Sequence, residues 1–343
     1  MYQNNLRYLT FESTMLASFP NLSQKKRTIA ALLPDQYEEK KHFPTIWFLG
    51  GFGSNGRDML NDPGPFREAF AQKLLNYQRK GLIPAFIGIF PDGTTDLGGS
   101  QYINSSANGP FMDHLCDELV PFIDSHLKTI PESSGRVITG HSSGGYGAIM
   151  TCMLRPGVFA NMIASALDSA FEISQKPSWL TAAIEIRRCG GVNAFLDHFE
   201  AQSRKDKISQ NQFIANMQLA MASCFSPAPN ANNAHCELPI DLETMNINPE
   251  IWQLWLRYDP SEAIKQHWQK LEQLSYFHLD CGSEDEYGAQ FGHRQIKQIL
   301  DKNNVSFNYS EFTGTHRKTN FRYEERLKLL GDFVNRNKLW PDS

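Results

Sequence analysis

The sequence predicts an α/β fold, with a mostly parallel central sheet, helices on both faces and one large, mainly helical insertion. Three observations carry that prediction. Short continuous apolar runs of strand length alternate with segments of helical periodicity. Two of those runs end directly in glycine-rich turns, Gly50-Gly-Phe-Gly53 and Gly140-His-Ser-Ser-Gly-Gly145. The alternation lapses over residues 172–267, which divides the chain into a core of 1–171 and 268–343 and an inserted cap of 172–267. A length of 343 residues with 41% hydrophobic and 20% charged residues suits a globular chain with a sizeable core.

In chain order, 6–11 and 27–33 read as two strands of an antiparallel hairpin, the second stopped by Pro34-Asp35. Residues 44–49 form a buried strand entering the first glycine turn, and 66–80 have helical spacing. The apolar run 83–90 is the next strand, stopped by Pro91-Asp92-Gly93. Residues 111–127 place apolar side chains at 111, 115, 119, 122 and 123 on one helical face. A β-branched strand at 136–139 runs into the second glycine turn, and 146–154 continue as a helix of small and apolar residues. Strands at 159–167, 276–281 and 305–312 alternate with helices at 288–302 and 322–337. The inserted region carries helical stretches, a loop-rich patch around residues 227–233, and tryptophans at 252, 255 and 268.

Charge and composition exclude several classes of function. With 33 basic and 37 acidic residues the formal charge is −4, so no polybasic footprint for nucleic acid or an anionic membrane exists. No apolar run reaches the roughly 18 residues of a spanning helix, and residues 1–18 lack the apolar stretch of a signal peptide. A cytoplasmic location is therefore expected. The six cysteines are scattered without a CxxC pair or zinc spacing, so free thiols are expected; in a secreted chain Cys224 and Cys236 would be the pair to bridge. His114 with Cys116, and His235 with Cys236, lack two further ligands at metal spacing. Gly51, Gly53 and Gly56 do not make a phosphate-binding loop.

Gly140-His-Ser-Ser-Gly144 fits G-x-S-x-G between a β-branched strand and a small-residue helix, the setting of a nucleophile elbow. The serine sits on a strained turn, and small residues two positions away on either side let strand and helix approach. Ser142 has the correct flanks; Ser143 does not, because His141 stands two residues before it. A serine hydroxyl needs a base, and the base needs an orienting acid. Downstream, residues 279–285 place acids after an apolar strand, with Asp280, Asp285 and the neighbouring Glu284 and Glu286 as alternatives. His316 lies in a loop after the following strand. The other histidines read as structural, His278 as packed within a strand and His293 as solvated on a helix.

Taken together, Gly140-His-Ser-Ser-Gly-Gly145, Gly282-x-x-Asp285, Gly314-x-His316, Pro91-Asp-Gly93 and Tyr102-x-Asn-Ser105 resemble the esterase family of α/β-hydrolases that includes S-formylglutathione hydrolase (esterase D), feruloyl esterases, enterochelin esterases and mycolyltransferases. The resemblance covers about residues 25–170 and 272–338. It implies an α/β-hydrolase fold and a carboxylesterase-type serine hydrolase acting on an ester or thioester through an acyl-serine intermediate. It further implies Ser142 as nucleophile, Asp285 as orienting acid, His316 as base, and the backbone N–H groups of Phe52 and Ser143 as oxyanion donors. Arg317-Lys318 follow the histidine where family members often carry a tryptophan. An acyltransferase with the same triad, or a ligand-binding homologue without catalysis, is the alternative.

Candidate substrate-pocket residues are His141, Tyr102, Asn104 and Ser105, with Trp252 and Trp255 of the insertion. The cycle requires no cofactor and no metal. The expected partner is a small-molecule ester or thioester, with no nucleic acid and no membrane, and a homodimer is compatible with the sequence.

Overall fold

Alternation within single strands separates the two faces of the sheet. In β3 (Thr45–Leu49) all five residues are buried, Ile46 and Phe48 entering one apolar core and Trp47 and Leu49 the other. A strand buried on both faces must be covered on both, which is why the apolar runs are continuous rather than alternating. The structure is a computed structural model describing residues 2–39, 42–61 and 63–340.

The chain begins with β1 (Leu6–Glu12) and β2 (Lys26–Leu32), paired antiparallel with Leu6 opposite Leu32. After β3 come α1 (Phe70–Arg79), β4 (Ile87–Phe90) and a small ladder of β5 (Asn104–Ser105) with β6 (Gly109–Pro110). One continuous helical rod follows, made of α2 (Phe111–Asp113), a π-helical turn at His114–Leu119 and α3 (Val120–His126). Next are β7 (Arg136–His141), α4 (Ser143–Leu154) and β8 (Asn161–Ser165).

Helices α5 (Phe171–Ser174), α6 (Lys176–Arg188), α7 (Val192–Ser203), α8 (Gln210–Phe225), α9 (Pro249–Arg257) and α10 (Pro260–Leu271) follow in succession. The chain closes with β9 (Tyr276–Gly282), α11 (Ala289–Lys302), β10 (Asn308–Phe312) and α12 (Arg322–Asn337). The eight-stranded sheet has the order β1-β2-β4-β3-β7-β8-β9-β10. Only the β1–β2 and β2–β4 pairs are antiparallel. The remaining five pairs are parallel, as predicted. Helices α1 and α12 cover one face, while α4 and α11 cover the other.

Several boundaries differ from the sequence reading. The strand expected over 83–90 starts at Ile87, because Pro84 cannot donate to the ladder. The helix expected from 66 starts at Phe70, leaving the Phe66 side chain 97% exposed. Residues 172–267 are largely helical, but α10 packs on α4 and α11 and leads into β9. Phe195, Leu219 and Trp255 share one continuous apolar core with Trp47, Ile138 and Leu279 of the sheet. His293, expected to be solvated, is fully buried and its Nε2 accepts the Leu167 N–H at 3.0 Å. All six cysteines are free thiols.

Candidate active site

The turn between β7 and α4 is as crowded as its glycines suggest. A Cβ on Gly140 would stand 2.2 Å from the Gly144 carbonyl carbon, and one on Gly144 would stand 2.2 Å from the Leu49 carbonyl oxygen. Both distances are far inside van der Waals contact, so no larger residue fits. Between them Ser142 adopts φ 58° and ψ −125°, a conformation that costs a non-glycine residue on the order of 1–3 kcal/mol. The surroundings hold it there. Its N–H donates to the Ser165 carbonyl at 3.0 Å, and its own carbonyl accepts the Tyr146 N–H at 2.8 Å, opening α4. Ser143 is the first residue of α4, where a backbone N–H has no intrahelical acceptor and the helix dipole favours negative charge.

Asp285 and His316 come together because the loops after β9 and β10 interlock. Gly282 lies against the 314–315 backbone, where a Cβ would stand 2.4 Å from the Gly314 oxygen. The Ser283 N–H donates to Phe312 O at 2.8 Å and the Glu284 N–H to Gly314 O at 2.9 Å. Asp285 Oδ2 then lies 2.7 Å from His316 Nδ1, and the Asp285 side chain is fully buried. Among the alternative acids, Asp280 is inside β9, held by Arg326 and the Ser165 hydroxyl, and Glu286 accepts the His316 backbone N–H at 2.8 Å.

Burial opposes a charge on His316, but the Asp285 hydrogen bond and the carboxylates of Asp285, Asp168 and Glu286 outweigh it and raise its pKa. Burial likewise pushes Asp285 up, and its bond to His316 reverses that and holds it below the usual carboxylate range.

Ser142 and His316 line one cavity of about 230 Å3, together with Gly51, Phe52 and Ser143. Helix α8 closes it with Phe213, Met217 and Met221, one turn apart on one face, and the Phe213 ring meets Phe52 edge-on at 5.6 Å between centroids. The sequence reading missed these three, although their i, i+4, i+8 spacing was visible. It also missed Asp168, which lines the cavity just beyond β8 and has no motif to mark it. Asp168 Oδ2 accepts from Gln101 Nε2 at 3.0 Å and from the Ser143 hydroxyl at 3.1 Å.

The six pocket candidates from sequence all need correction, since none lines this cavity. His141 lies behind His316, its Nε2 hydrogen-bonding the His316 carbonyl at 2.8 Å. Burial, then the nearby His316 and Arg326, lower its pKa to about 3, so the ring is neutral and its Nε2–H donates. Tyr102 is buried, with its hydroxyl donating to Gly50 O at 3.0 Å. Asn104 is exposed, and its side-chain oxygen accepts the Met112 and Asp113 N–H groups at the start of α2. Ser105 donates to Ser223 O at 2.5 Å and ties β5 to α8. Trp255 is fully buried against Phe171 and Phe225, and Trp252 donates to Glu172. Aromatic packing, which a sequence does not separate from a substrate platform, accounts for both tryptophans. Among the described residues no group of three or more histidine, cysteine or carboxylate side chains is placed to hold a metal ion.

A family model described as "Putative esterase" matches residues 21–325. The chain belongs to this esterase family. Membership makes it a carboxylesterase-type hydrolase with a small-molecule ester as substrate, in agreement with the resemblance seen in the sequence. Among solved structures it is similar to a ferulic acid esterase at TM-score 0.58 and 16% identity, covering 96% of this chain and 98% of that one. It is also similar to S-formylglutathione hydrolases from Agrobacterium tumefaciens (TM-score 0.57, 14% identity, 96% and 95% covered) and Staphylococcus aureus (0.55, 15%, 96% and 98%). At these identities the likeness concerns the α/β-hydrolase fold. No helix among the described residues is long and apolar enough to cross a membrane.

Proposed function

We propose that this esterase cleaves a carboxylic ester or thioester through an acyl-serine intermediate, with Ser142 as nucleophile, His316 as base and Asp285 as orienting acid. The observation that carries the reading is the buried Asp285–His316 bond of 2.7 Å beside a serine held at φ 58°, with serine and histidine on one cavity. In this cycle His316 Nε2 takes the Ser142 proton as Oγ attacks the carbonyl carbon. Asp285 holds the imidazolium so formed. The oxyanion accepts hydrogen bonds from the N–H of Ser143, at the start of α4, and of Phe52 in the loop after β3. His316 then returns the proton to the leaving alcohol or thiol. Water repeats the sequence on the acyl-serine.

The test is labelling with a fluorophosphonate probe and turnover of p-nitrophenyl acetate in the wild type and Ser142→Ala. Loss of both in the variant is expected. A folded wild-type protein that neither labels nor turns over would overturn the assignment.

A further inference from the structure

The cavity holds a carboxyl that the proposed cycle does not use. Asp168 faces it from the end of β8, and both donors that reach it, Gln101 Nε2 and the Ser143 hydroxyl, are neutral and bond to Oδ2. Among the described residues no hydrogen-bond donor reaches Oδ1. Among the described residues no lysine or arginine forms an ion pair with this group. Burial pushes its pKa up against the Gln101 hydrogen bond and the pull of His316, itself already bonded to Asp285, and the Asp285 carboxylate repels it further. Arg317, which also lines the cavity, is engaged by the Tyr287 hydroxyl and by Glu286.

A half-buried carboxylate on a largely apolar cavity is stabilised by a cation that pairs with it. The same cavity is lined by Phe52, Phe213 and Met217, aromatic and thioether groups against which an alkylammonium ion packs favourably, and by Met221, whose sulfur lies 2.8 Å from Gln101 Nε2.

Resting on the hydrolase reading above, we infer that Asp168 selects small esters or thioesters bearing a cationic alkylammonium group, which pairs with Oδ1 while its methyl or methylene groups pack on Phe52 and the α8 face. The cation could enter on the acyl or the leaving-group side, and the test separates these. Quaternary ammonium substrates avoid self-cyclisation and acyl migration. The leaving-group pair is acetylthiocholine against S-(3,3-dimethylbutyl) thioacetate. The acyl pair is p-nitrophenyl 4-(trimethylammonio)butyrate against p-nitrophenyl 5,5-dimethylhexanoate. Each pair differs only by replacement of the ammonium nitrogen with carbon.

The expected result is a cationic-to-neutral ratio of kcat/KM above about 10 in one pair for the wild type, falling to near 1 in Asp168→Asn, whose amide oxygen still accepts from Gln101 and Ser143. A second readout uses the wild type alone: tetramethylammonium should inhibit hydrolysis of the neutral ester competitively. Neutral esters turned over with no cationic preference in either pair, or a preference that survives in Asp168→Asn, would overturn the inference and leave the hydrolase reading standing. No turnover of any ester, together with no fluorophosphonate labelling of Ser142, would overturn both.

Discussion

His141 Nε2 donates to the backbone carbonyl of His316 at 2.8 Å, so the residue before the elbow serine fixes the main chain of the proposed base. With Glu286 accepting the His316 N–H and Asp285 bonded to Nδ1, His316 is held on both backbone polar groups and on its ring. Replacing His141 by Phe keeps a ring in the space and removes the donor. One hydrogen bond of this kind is worth about 1 kcal/mol, so kcat should fall roughly fivefold with little change in KM. A fall in KM alone, or none in kcat, would show that the bond does not position the base.

The acid limb of the rate profile follows from the charges around His316. A base must be unprotonated, and the carboxylates of Asp285, Asp168 and Glu286 favour the protonated ring, so its pKa stands above the ordinary 6.5. Activity should therefore rise with pH through an apparent pKa above that of a free imidazole. Glu286→Gln removes one negative charge while an oxygen remains to accept the His316 N–H. The limb should then shift toward lower pH by about a few tenths of a unit, since Glu286 is half-exposed and partly screened. A limb that stays put or moves alkaline in kcat/KM profiles would contradict this account.

Legibility in the sequence divides by physical cause. The mostly parallel, doubly covered sheet and the elbow were readable because both are written in local patterns: apolar runs such as 44–49, and glycines where backbone meets backbone; the strand order was not. Chain order and loop position singled out His316, but they left Asp280, Glu284 and Glu286 beside Asp285, which the family resemblance alone preferred; the structure brings Asp285 and His316 into contact. The cavity wall was not legible. Phe213, Met217 and Met221 lie on one face of α8, but apolar residues at that spacing also describe packing, as Trp252 and Trp255 show. Asp168 has no local signature, since its placement depends on Gln101 and Ser143 approaching from distant parts of the chain. Tyr102 was singled out for the pocket, and the structure makes it a support of the loop beside it.

Gly144 is the point at which the elbow tolerates least. A methyl group there would enter the Leu49 carbonyl at 2.2 Å and approach the Gly50 carbonyl oxygen at 3.0 Å, forcing α4 away from β3. Gly144→Ala should cost about 3 kcal/mol or more and show as a lowered Tm and poor soluble yield. Gly51→Ala is the internal comparison, because its Cβ would meet the His141 oxygen at an ordinary 3.6 Å. That variant should keep its Tm within a few degrees. Equal thermal stability of the two variants would show that the crowding at the elbow is easily relieved.

Tyr102 links the proposed oxyanion loop to the rest of the molecule. Its ring is confined between Gly93 and Gly147, where added Cβ atoms would stand 2.5 and 2.6 Å from ring carbons, and its own backbone is held at φ 53°. From that seat the hydroxyl donates to Gly50 O at 3.0 Å, which fixes the Gly50–Gly51 peptide plane one residue before the Phe52 N–H. Tyr102→Phe keeps the wedge and deletes only the donor, leaving a buried carbonyl oxygen without that partner. The stability loss should be about 1–2 kcal/mol. A loosened oxyanion donor acts chiefly in the transition state, so kcat should fall about tenfold while KM changes little. Fluorophosphonate labelling should slow in parallel, because the phosphoryl oxygen uses the same donors. Unchanged kcat and labelling with only the stability loss would assign Tyr102 to packing and remove it from the chain of contacts that supports the site.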